Sequence, residues 1–199
     1  MSEALFDEFG GRDLAVLALP RGGIPVGLEV SKKLGADFGI LEVKKIGAPD
    51  NPELAIGATG SRGEPFLDLE TIKSLGVSEQ YLKMETARKR QEASEREKFY
   101  SGLTKPVDMA GKVGILVDDG LATGATAQAA AKILEKSGLL RKVLAIPVAP
   151  PSSIEKVRES FDEVIALFQT WDFVAVGQFY ENFSPLSDLE IKEMIKKYR

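Results

Sequence analysis

Short runs of aliphatic and β-branched residues alternate along this chain with longer stretches whose apolar residues recur every three or four positions. Residues 14–19, 40–43, 113–117, 143–148 and 164–168 are apolar almost throughout, the pattern of strands buried on both faces. Such runs predict a parallel sheet. Between them the period lengthens. After the first run Pro25 suits an opening helical turn, Val26, Val30 and Leu34 share one face, and Gly35 can end the helix. After the third, Ala127, Ala130, Ala131 and Leu134 give a second crossover helix with a small apolar face, and Gly138 is its stop. Ser152 with Glu155, and Ser187 with Glu190, match the capping box, and Ile191, Met194, Ile195 and Tyr198 follow at helical spacing. Strand, helix and strand in succession predict an α/β domain, a central parallel sheet flanked by helices.

Three stretches depart from this rhythm. Residues 78–100 are dense in Glu, Lys and Arg, and the pairs Glu85/Lys89 and Glu92/Arg96 predict a solvated surface helix. Segments of about 47–68 and 170–186 bring Gly, Pro, Asn and aromatic residues, and predict a small hood over one edge of the sheet. With 199 residues the whole suits a single domain.

Composition narrows the chemistry. The chain has no Cys and no His. That excludes thiolate nucleophiles, imidazole bases, disulfides and nitrogen or sulfur zinc sites. Carboxylates, Lys, Arg, hydroxyls and backbone remain, a set suited to phosphate esters with Mg²⁺, which prefers oxygen ligands. A formal net charge of −4 gives no basic field for nucleic acid. No apolar run approaches membrane-spanning length, and the start lacks a basic then apolar leader, so a cytoplasmic protein without a membrane role is expected.

The chemistry concentrates at residues 115–126, Ile-Leu-Val-Asp-Asp-Gly-Leu-Ala-Thr-Gly-Ala-Thr. A strand ending at Val117 delivers Asp118 and Asp119 to the carboxyl edge of the sheet, where open α/β folds place ligands. The small and hydroxylated residues that follow let backbone N–H groups approach an anion at a helix start. Two carboxylates beside an anion cradle suit a sugar phosphate: the carboxylates accept from vicinal ribose hydroxyls while the amides hold the 5-phosphate. This is not a Walker A loop, because Ala125 stands at the lysine position, and a kinase-like reading is weakened accordingly.

Hydrophobic strand, acidic pair and Thr-Gly-Ala-Thr together resemble the PRPP-binding motif of type I phosphoribosyltransferases. The resemblance implies that family's α/β fold with its hood, a transfer of phosphoribosyl from PRPP to a nitrogen acceptor, nucleobases being the main class, and Mg²⁺ as cofactor. By the same resemblance Asp118 and Asp119 bind the ribose hydroxyls, and Ala122, Thr123, Gly124, Ala125 and Thr126 hold the 5-phosphate. No metal ligand is fixed, though Asp118 and Asp119 are open to Mg²⁺. Ala122 stands where the 6-oxopurine enzymes carry an Asp, which argues against hypoxanthine and guanine and resembles the adenine enzymes.

Two further elements take meaning from the resemblance. Pro20-Arg-Gly-Gly23 follows the first strand and resembles the family's pyrophosphate loop, which implies Arg21, Gly22 and Gly23 as pyrophosphate ligands, Arg21 as a catalytic cation with the acidic pair, and a cis Pro20–Arg21 peptide. Lys44 and Lys45 resemble the basic pair after the second strand in adenine enzymes, and either could meet pyrophosphate. Residues 62–100 span the family's catalytic loop, with Arg88 and Arg90 as candidates. Trp171, Phe173 and Tyr180 are open to two uses, stacking on a base or packing a small core. Family analogy implies a homodimer. A sensor that binds PRPP or a nucleotide in the same pocket without turnover is the rival reading.

Overall fold

The computed structural model describes residues 1–61 and 64–198. A five-stranded, all-parallel sheet forms the centre, in the order β2-β1-β6-β7-β8, where β1 is Leu14–Ala18, β2 Asp37–Ile40, β6 Val113–Val117, β7 Arg141–Ala149 and β8 Glu163–Gln169. Side chains alternate across it. Val16, Ala18, Ile115, Val117, Val143 and Ala145 face one side, where helices α1 (Ser2–Phe9), α2 (Gly23–Leu34) and α7 (Asp188–Tyr198) cover them. Leu17, Leu116, Leu144 and Ile146 face the other, under α5 (Ala125–Leu134) and α6 (Pro151–Val157). Both faces are therefore dry over β1 and β6 and most of β7, which is why those strand sequences read as continuous apolar runs. Among the described residues no helix is long and apolar enough to cross a membrane.

The expected second strand is displaced. Its ladder is Asp37–Ile40, three residues earlier than the apolar run, because the chain leaves the sheet once Leu41 N–H has bonded Ala18 O at 3.0 Å. Lys44 then opens β3 (Lys44–Ala48), which pairs antiparallel with β4 (Asn51–Thr59) and through it with β5 (Phe66–Leu67). Ile46, Ala48 and Ile56 of this second sheet bury against Ile72 of α3 (Leu69–Ser74) and Tyr81 and Leu82 of α4 (Glu79–Ser101).

Helix α4 is less solvated than its charge predicts: Glu85, Ala93 and Tyr100 are buried, so one side lies on protein. Its ion pairs differ as well. Arg88 bonds Glu85 and Glu92, Lys89 bonds Glu92, and Arg96 leaves the helix for both oxygens of Asp188, at 2.7 and 2.8 Å. A guanidinium's paired donors match a carboxylate better than one helical neighbour can.

One capping box forms and one does not. Ser187 Oγ accepts from Glu190 N–H while Glu190 accepts from Ser187 N–H, closing the start of α7. At α6, Pro151 begins the helix and Pro150 is its N-cap, so Ser152 already lies inside the first turn.

Candidate active site

Strands β1 and β6 end level, with Ala18 opposite Val117, so their exits meet at the carboxyl edge. Leu19 N–H bonds Val117 O at 2.9 Å, and two peptides further on Pro20–Arg21 is cis, as the motif leads one to expect. The turn then folds onto the acidic pair. A Cβ on Gly23 would meet Val117 O at 2.6 Å and Asp118 Cα at 3.0 Å, and one on Gly22 would overlap the Asp119 carboxylate. Only glycines allow Arg21-Gly22-Gly23 to lie against Asp118 and Asp119.

Beyond Gly120, residues 122–126 close over the start of α5. Gly124 takes φ 84° in the left-handed region, and a side chain there would also strike Val157 at 2.6 Å. Ala122 and Thr123 are exposed, and Ser153 Oγ donates to Ala122 O at 2.5 Å, fixing the loop from the first turn of α6. Helix α5 starts at Ala125, so its unpaired N–H groups and positive dipole end face the loop.

Burial, then the charge of Asp119, pushes the Asp118 carboxyl well above the usual carboxylate range. Burial likewise raises Asp119. Asp118 Oδ1 accepts the Asp119 N–H at 2.9 Å, a local bond that only partly relieves the pair. Two carboxylates in little water need hydroxyl donors or a cation to stay ionised together.

The candidate cations differ in state. Arg21 is exposed and spends one donor on Leu186 O at 2.8 Å, leaving the rest of its fork. Lys44 Nζ bonds Glu42 Oε1 at 2.8 Å; the Glu42 side chain is only 5% exposed, and its Oε2 has no hydrogen-bond partner among the described residues. Lys45 is exposed. The two lysines therefore leave no strand of the central sheet; they open the second sheet, and Lys44 carries a buried counter-ion. On α4, Arg88 is engaged by Glu85 and Glu92, and Arg90 is half-buried. The first residue of the predicted catalytic-loop region, Arg62, and Gly63 within the predicted hood lie outside the described residues.

In the 170–186 segment a 3₁₀ turn, Val176–Phe179, is the only helical feature among the described residues. Phe179 packs between Phe168 and Phe173, with ring centroids 5.8 and 5.6 Å away. Trp171 is 78% exposed. Tyr180 turns inward, and its hydroxyl donates to Asp119 O at 2.6 Å. A cleft of about 660 Å³ opens near the start of β2 between Asp37, Lys105, Val107 and Tyr198, and contains none of the acidic pair, the glycine turn or the threonine loop.

The model of the phosphoribosyl transferase domain matches residues 1–181, so the match contains both the glycine turn and the acidic loop. The chain belongs to the phosphoribosyl transferase family. Its sequence is 38% identical over 187 residues to a Mycobacterium tuberculosis protein, Rv0571c, that carries the provisional name phosphoribosyl transferase; the aligned part is 92% of this chain and 42% of that protein. The chain thus spans less than half the length of that relative. The crystal structure of TT1426 from Thermus thermophilus is similar throughout, with TM-score 0.84 and 36% identity over 99% of this chain and 93% of that one.

Three residues at this candidate site have contacts that the sequence did not disclose. Ser153 reads as part of a cap, Glu42 as a lone acid before two lysines, and Tyr180 as one aromatic among several. Their partners, Ala122, Lys44 and Asp119, are 31, 2 and 61 positions away. Only the Glu42/Lys44 spacing could have signalled its pair.

Proposed function

We propose that this phosphoribosyl transferase moves the 5-phosphoribosyl group of PRPP to a nitrogen acceptor, a nucleobase by class, and releases pyrophosphate. The observation that carries the reading is the contact between Gly22 and Asp119, which packs the candidate pyrophosphate turn against the candidate ribose-binding carboxylates. One molecule with a diphosphate, a diol and a terminal phosphate matches the turn, the acidic pair and the threonine loop in sequence.

In this reading Asp118 and Asp119 accept hydrogen bonds from the ribose 2- and 3-hydroxyls. Residues 122–126, with the N-terminus of α5, hold the 5-phosphate. Arg21 offers its remaining donors to the diphosphate, and Lys44 or Lys45 adds a second positive charge. The acceptor nitrogen forms a bond to C1 as the bond from C1 to pyrophosphate oxygen breaks, and the leaving group takes the electron pair. Positive charge grows on the sugar, and the adjacent carboxylates favour it electrostatically.

Mg²⁺ fits the donor set at this edge. Asp118 and Asp119 are hard oxygen donors whose shared negative charge the protein alone leaves poorly compensated. Among the described residues no three acidic side chains form a metal cage, so these two carboxylates would hold the ion jointly with substrate oxygens, a common arrangement for Mg²⁺. When bound, it neutralises leaving-group charge. Ala122 has no proton-transfer group, which argues against a 6-oxopurine acceptor.

The test is pyrophosphate release from PRPP and Mg²⁺ across a panel of purines, pyrimidines and small amines. Release with one acceptor, lost in the Asp118→Asn, Asp119→Asn double variant, is the expected result. PRPP binding by calorimetry without release from any acceptor would favour a sensor, and equal PRPP affinity in wild type and the double variant would remove the site.

A further inference from the structure

The acidic pair is held from above as well as from below. Tyr180 is half-buried in the 170–186 segment, and its hydroxyl donates to the backbone carbonyl of Asp119 at 2.6 Å. Its neighbour Val176 lies directly over Gly120: a Cβ there would meet Val176 Cγ1 at 2.7 Å. The Asp119–Gly120 peptide is thus clamped by a hydrogen bond on its carbonyl and by an isopropyl group on its α-carbon.

A trans peptide is planar, with its N–H pointing opposite to its C=O. Because Tyr180 draws the Asp119 carbonyl to its own side, the Gly120 N–H is directed away from Tyr180. The segment that contributes Tyr180 is itself braced. Gln178 accepts from the N–H groups of Val174 and Ala175 and donates to Asp172 O at 2.7 Å, and Tyr180 packs on Phe183 with ring centroids 5.3 Å apart. Asp172 N–H in turn bonds Thr170 Oγ1, so both neighbours of Trp171 are tied into the segment that carries Tyr180.

We infer that Tyr180 is a positioning residue: through Asp119 O it orients the Asp119–Gly120 peptide for the sugar phosphate and couples occupancy of that loop to the 170–186 segment. The inference rests on the PRPP reading of the loop. Tyr180 touches no reacting atom in this account. Its effect passes through the Asp119–Gly120 peptide, the backbone that carries the Asp119 carboxylate.

Tyr180→Phe removes the donor and keeps the ring on Phe183, and the chain's single tryptophan, Trp171, reports on the segment. PRPP with Mg²⁺ is titrated into wild type and Y180F, followed by calorimetry and by Trp171 fluorescence, with thermal melting as a check on folding. The expected result is PRPP binding about threefold to tenfold weaker in Y180F, the range for one lost neutral hydrogen bond. Trp171 emission should change on saturation of wild type and stay unchanged at saturation of Y180F. A structural role alone would lower the melting temperature without separating binding from fluorescence. Equal affinity in the two proteins, a Trp171 response that survives in Y180F, or a saturated wild type with a silent Trp171 would each overturn the inference. Absence of PRPP binding by wild type in calorimetry would remove the PRPP reading itself, and the inference with it.

Discussion

Gly22 and Asp119 occupy one another's space: the Cβ that any other residue would carry at position 22 falls on the Asp119 carboxylate, with Oδ2 its nearest atom. The carboxylate can yield only by rotating out of the position that faces the turn. Gly22→Ala should therefore weaken PRPP binding by tenfold or more in calorimetry. The accompanying loss of stability should be about 1 to 3 kcal/mol, the usual cost of overpacking.

Asp118→Asn should make the ligand-free protein more stable at neutral pH while abolishing PRPP binding. Burial and Asp119 raise the Asp118 proton affinity in the folded state above its ordinary value of 3.8. A raised folded value means that the stability tied to the protonated form is complete below the unfolded value and is lost as pH rises through the folded one. The asparagine side chain never ionises, so it avoids that loss. Melting temperatures at pH 4 and pH 7 check this: the variant should gain on wild type as pH rises, whereas a gap independent of pH would contradict the sign.

Lys44 and Lys45 should separate under mutation. Lys44→Met leaves the buried Glu42 carboxylate without its partner, and we expect a loss of about 2 kcal/mol, less than for a fully buried pair because the Lys44 side chain is 30% exposed. Lys45→Met should change stability by under about 0.5 kcal/mol. Adding Glu42→Gln to Lys44→Met should recover part of the loss. Denaturant unfolding of the three variants measures the difference.

Two serines with the same local sequence signature should also diverge. Ser187→Ala removes a formed cap and should cost about 1 kcal/mol. Ser152 makes no cap, and Ser152→Ala should fall within about 0.5 kcal/mol of wild type by the same measurement.

That contrast shows what the sequence could and could not convey. The capping box depends on where the helix begins, and Pro151 moves the start of α6 by fixing its own backbone angle. Strands β1, β6 and β7 were legible because both faces of the sheet are covered there, which makes a buried strand apolar; β8 was legible from its apolar run alone, although it lies at the sheet edge with Leu167 and Phe168 exposed. The second strand was misplaced because Leu41 and Val43, also apolar, continue past the last ladder residue, Ile40. At the site, the acidic pair, the threonine loop and the glycine turn were legible because each lies in one contiguous stretch. The links from Ser153 to Ala122 and from Tyr180 to Asp119 were not, because they depend on how distant elements pack. The bond from Arg96 to Asp188 spans 92 positions, and helix periodicity offered Arg96 a nearer partner in Glu92.

Arg21 also has an attachment far along the chain. Its guanidinium rests on the carbonyl of Leu186, two residues before α7 begins at Asp188, and Arg96 grips that same Asp188. For protein engineering this makes the approach to the last helix part of what holds the Arg21 turn. A truncation, affinity tag or fused domain joined near residue 186 would alter how Arg21 is presented without touching the recognised motifs. Expression vectors for this protein are better cut beyond α7, and an inactive short version should first be suspected of a loosened Arg21.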